Sequence, residues 1–96
     1  LIRITFKHKE LQRINESSNW FAESLRLGLS PYEIEVLGAE FPPISRIRNE
    51  YIKHILLKIP QKASLSLVKN YILRIEQRFF SIGNFRSVQL SYNVDI

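Results

Sequence analysis

The residues of this chain with the strongest chemical character are basic. Arg46 and Arg48 flank Ile47 just ahead of an extended segment that carries Tyr51 and Lys53. Guanidinium forks match phosphate oxygens, and an exposed tyrosine offers a face on which a base can stack. The grouping predicts that Arg46, Arg48, Tyr51 and Lys53 contact a nucleic-acid backbone, with Lys7 and Arg86 as weaker candidates. A competing reading pairs the two arginines with Glu40, Glu50 or another domain of a longer protein. Charge distribution favours phosphate. Residues 41–86 hold nine Lys/Arg against two Asp/Glu, whereas residues 1–40 hold five against six. A basic half on a small domain is the electrostatic footprint of a polyanionic partner.

Catalytic chemistry finds no comparable grouping. Gly28, Gly38 and Gly83 are isolated, so no glycine-rich loop can cradle a phosphate. His8 and His54 are the two histidines, and neither belongs to an HxH or HxxxH pair. A nucleophilic serine would need a base that the sequence does not visibly supply. The chain has no cysteine, which removes disulfides and thiolate metal sites and fits a reducing, cytoplasmic setting. No apolar run approaches the length of a membrane span.

Six elements must position the basic residues. Ile2, Ile4 and Phe6 alternate with Arg3, Thr5 and Lys7, as in a half-buried strand. Leu11, Ile14, Ser18, Phe21 or Ala22, and Leu25 recur at helical spacing, which predicts a helix over residues 9–27 ended by Gly28. Trp20 lies off that stripe, where it can cap the core edge, stack on a base or face a neighbouring domain. A short strand follows over residues 33–37. The chain then breaks at Gly38 and at Pro42-Pro43, whose missing donors separate two strands.

A long strand runs to Pro60, with Tyr51, Lys53, Ile55, Leu57 and Ile59 on one face. Ser64 is placed to cap a second helix, in which Leu65, Val68, Ile72, Ile75 and Phe79 form the apolar stripe. Residues 88–95 alternate as a last strand. The order β-α-β-β-α-β predicts an α+β split-βαβ sandwich: a four-stranded antiparallel sheet with both helices on one face. Ninety-six residues make one domain with a small core. The chain begins at Leu1 inside a strand pattern, which reads as a domain cut from a larger protein.

The segment VLGAEFPPISRIRNEYIKHILLKIP (36–60) resembles the carboxyl-terminal region of the PriA family of primosomal replication-restart helicases. Those proteins carry a Val-Leu-Gly-Pro run, a Pro, a basic pair, an aromatic residue and an Ile-Leu-Leu-Lys strand in this order. The closing VQLSYNVD (88–95) is similar to their Val-Asp-Val-Asp type ending. The likeness departs at Ala39, where the family usually has Pro, and at Asn93, where it often has Asp.

The resemblance implies the same architecture, in a parent that uses ATP to unwind DNA 3′ to 5′ at stalled or branched forks. ATP, magnesium and cysteine-bound zinc would belong to parts of the parent outside this chain. The present segment would be a non-catalytic module that binds forked and single-stranded DNA and docks on the helicase lobes. By the same resemblance, Lys62 and Ser66 align with a basic and a polar residue that help bind the acidic tail of single-stranded-DNA-binding protein. A reading of another class is a stand-alone protein-interaction or small-ligand regulatory domain of ferredoxin-like architecture.

Overall fold

Alternation in the first strand sets the layers. In β1 (Ile2–His8) the side chains of Ile2, Ile4, Phe6 and His8 are buried, while Arg3, Thr5 and Lys7 turn to the opposite face. The computed structural model describes residues 1–94, so Asp95 of the expected last strand lies outside the described residues. After β1 come α1 (Leu11–Leu29), a 3-10 turn (Ser30–Tyr32), β2 (Glu35–Glu40), β3 (Arg46–Ile47) and β4 (Glu50–Lys58). Then follow α2 (Leu65–Ser81), a second 3-10 turn (Gly83–Phe85) and β5 (Gln89–Val94).

The main strands lie in the order β2-β4-β1-β5, and every pair is antiparallel. This is the expected α+β split βαβ, with both helices on one side of the sheet. A fifth, two-residue strand, β3, folds back on β4.

The core lies between sheet and helices and is aromatic at its centre. Phe79 of α2 meets Phe6 of β1, Phe21 and Trp20 of α1, and Phe85, with ring centroids 5.0–6.1 Å apart. Tilted and edge-on pairs of this kind add about 0.5–1.5 kcal/mol each beyond their buried area. Trp20 is half-buried at the rim of this cluster, so it caps the core edge. The helical stripes follow the expected spacing: Ile14, Ser18, Phe21, Ala22 and Leu25 are buried in α1, and Val68, Ile72, Ile75 and Phe79 in α2. Leu11 and Leu65, at the helix starts, remain exposed. The Ser64 hydroxyl accepts the Leu67 N–H and caps α2 as its sequence position predicts.

Three boundaries differ from expectation, each for a tertiary or local reason. Gly28 does not end α1; it lies inside the last turn, directly beneath the Tyr71 ring, and the helix runs on to Leu29. β2 starts later than residue 33 because Glu33 closes the 3-10 turn in left-handed backbone, φ 61°. It also continues through Gly38, which does not break the strand but carries a bulge there. Gly38 has φ +106°, and an added Cβ would sit 2.7 Å from the His54 carbonyl oxygen. Among the described residues no helix is long and apolar enough to cross a membrane.

Candidate nucleic-acid interface

A hairpin that the sequence pattern did not reveal positions the two arginines. Arg46 and Ile47 pair with Tyr51 and Glu50, so Arg48 and Asn49 form a two-residue turn. Both have positive φ, 52° and 66°, the backbone that a type I′ turn requires. Asn tolerates this region, whereas Arg does not favour it. The turn holds Arg48 out at the tip of the β3-β4 hairpin, exposed, with Arg46 two residues back on β3.

The hairpin tip converges with the end of β1 and the start of β5. His8, Lys9, Arg48, Asn49, Glu50 and Ser87 line an open cleft of about 320 Å³. His8 organises its floor. The His8 Nδ1 accepts the Glu10 backbone N–H at 2.9 Å, which leaves the neutral ring with its proton on Nε2. That N–H donates to the Ser87 Oγ at 2.8 Å, so the serine hydroxyl proton is free to point elsewhere. α1 begins two residues after Lys9, with Glu10 at its N-cap position making no side-chain cap. Lys9, Arg46, Arg48 and Arg86 form no ion pair among the described residues. The arrangement therefore presents cations and hydroxyl and amide donors, with Glu50 the one carboxylate lining it.

The predicted residues do not share one surface. Arg46 and Arg48 share the hairpin. Tyr51 is half-buried against the core, and the Arg46 guanidinium lies over its ring at 4.9 Å. The face expected to stack on a base is thus already occupied by the arginine. Lys53 is not on this surface. Its side chain points with Ile55 and Leu57 toward the helix layer, is 7% exposed, and sets its ammonium over the Phe41 ring at 4.7 Å. Burial lowers its pKa. Lys7 sits on the open sheet face between Gln89 and Ile52, and Arg86 is exposed beside Ser87.

The second predicted site lies elsewhere, between the first 3-10 turn and α2. A cleft of about 320 Å³ is lined by Tyr32, Glu33, Lys62, Ser64 and Leu67 among others. The Lys62 ammonium contacts the Glu33 carboxylate at 2.8 Å, both side chains being largely exposed. Ser66 points to solvent and does not line this cleft; Ser64 takes the polar place beside Lys62.

Pattern reading missed Lys9, Asn49 and Ser87. The one available signal was the Arg48-Asn49 step before an alternating strand, a turn dipeptide without the usual glycine. Among the described residues no three His, Cys, Asp or Glu side chains gather in a metal-binding group. No protein-family model matches the chain. No curated protein matches it either.

Proposed function

We propose that this chain is a non-catalytic module that binds nucleic acid through its phosphate backbone. The observation that carries the reading is the placement of Lys9 and Arg48 in one cleft, with Arg46 in the same hairpin and Arg86 next in sequence to the cleft residue Ser87, none of the four ion-paired among the described residues. Cations left free at one end of a basic domain attract a polyanion, and each phosphate contact releases counterions. The candidate cations sit on a hairpin and at strand ends rather than along a helix, so binding should be blind to sequence. The resemblance over residues 36–60 gives this reading its finer form. It makes the chain the carboxyl-terminal part of a primosomal DNA helicase acting in replication restart, with forked or single-stranded DNA as the polyanion. Tail peptides of single-stranded-DNA-binding protein are then a second partner, at Lys62. A titration with labelled single-stranded and forked oligonucleotides of unrelated sequence tests the reading. Similar affinity for all sequences supports it; absence of binding at low salt, or a strong base preference, contradicts it.

A further inference from the structure

A sheet of this topology has two edge strands, and this chain treats them differently. The β2 edge is blunted in several ways. It carries Glu35 and Glu40, it bulges between Gly38 and Glu40, and the Arg26 guanidinium donates to the carbonyls of Val36 and Gly38. Such devices keep an edge from pairing with a foreign strand. Among the described residues the β5 edge has none of them. QLSYNV contains no charge, no proline and no glycine, and it pairs with β1 on one side alone among the described residues.

The surface next to β5 is also unusual for a helix shoulder. Ile2, Lys69, Ile72, Leu73, Tyr92 and Val94 line a groove of about 210 Å³ between α2 and the edge strand. Leu73 is 51% exposed, and Tyr92 and Val94 are each 37% exposed. Glu76 stands at one end of this groove, holding the Tyr92 hydroxyl, which donates to it at 2.8 Å. Lys69 stands at the other end and forms no ion pair among the described residues. Residues 69, 72, 73 and 76 follow the i, i+3, i+4, i+7 spacing of one helix face.

We propose that β5 and this face of α2 form a two-fold interface with a second copy of the chain. β5 pairs antiparallel with β5 of the other copy and joins the two sheets. A two-fold axis passing near Leu73 sets the two Leu73 side chains against each other. It brings Lys69 of each copy to Glu76 of the other, since the two lie two helical turns apart on either side of Leu73. This pattern is self-complementary: a partner of uniform charge would satisfy one of the two charges and oppose the other. The apolar groove closes at the same time, and the bare strand edge gains its missing hydrogen bonds.

Light scattering or sedimentation over a concentration series tests the interface. The mass of the wild-type chain should climb from 11.3 kDa toward twice that value. Leu73→Glu should stay monomeric while keeping the wild-type circular-dichroism spectrum. Lys69→Glu and Glu76→Lys should each raise the dimer Kd about tenfold, two symmetric pairs being lost at once. The double exchange Lys69→Glu/Glu76→Lys should restore it. A wild-type chain that remains monomeric at its highest soluble concentration overturns the proposal. So does a dimer that survives Leu73→Glu, or single variants that the double exchange fails to rescue.

Discussion

Substituting Gly28 by Ala should destabilise the fold, against the ordinary rule for a helix. Alanine normally favours a helical position over glycine by up to about 1 kcal/mol. At Gly28 the new Cβ would fall 1.9 Å from Cζ and 2.0 Å from Oη of Tyr71. The ring has to swing out of its seat. That motion breaks the hydrogen bond by which the Tyr71 hydroxyl donates to the Ser24 carbonyl at 2.9 Å, worth about 1 kcal/mol. Crowding and repacking add about 1–3 kcal/mol. The balance is a net loss of about 1–3 kcal/mol once the propensity gain is subtracted. With Tyr71→Ala the obstruction disappears, and Gly28→Ala should then stabilise by as much as about 1 kcal/mol. Urea unfolding of the wild type, both single variants and the double variant closes the cycle. Stabilisation by Gly28→Ala in the wild-type background would refute the reasoning. An equal cost with and without Tyr71 would refute it too.

Three further outcomes follow from particular contacts. Arg48→Gly should raise stability by roughly 0.5–1 kcal/mol, because glycine accepts φ 52° without strain, yet weaken oligonucleotide binding; unfolding and binding assays on one preparation check the opposite signs. His54 has its pKa lowered by burial first and by the nearby Arg3 charge second. The unfolded chain therefore takes up the proton more readily, so stability is retained above about pH 6.5 and falls as pH drops below it. His54→Gln should flatten that decline in a pH series of unfolding curves, and an unchanged pH profile would count against the assignment. Glu33 occupies the Lys62 ammonium that a tail carboxylate would need, so Glu33→Gln should tighten binding of an acidic tail peptide and Lys62→Glu should weaken it, both read by fluorescence anisotropy.

Much of the architecture was legible because its signals are local. Alternation in β1 and the three-and-four spacing in α2 each name one buried face, and the Ser64 cap follows from residue type and place. The misread features depend on distant partners. Gly28 carries a helix-ending signal, but what decides its position is the Tyr71 ring, contributed by the other helix. Alternation itself had placed Lys53 on the same face as Ile55 and Leu57. What the strand alone does not show is Phe41, which reaches that face from beyond the β2 bulge and covers the ammonium. The basic cleft was half legible. Arg46 and Arg48 stood out by type, but Lys9 and Ser87 join them through sheet register between segments far apart in the chain.

The most direct measurement is the salt dependence of single-stranded DNA binding by the wild type and by Arg46→Ala/Arg48→Ala. If Lys9, Arg46, Arg48 and Arg86 each neutralise one phosphate, a plot of log K against log salt should slope at about −3, and removal of two arginines should bring it to about −1.5. A wild-type slope near zero, or a slope unchanged in the double variant, would contradict the assignment of these residues to a phosphate backbone.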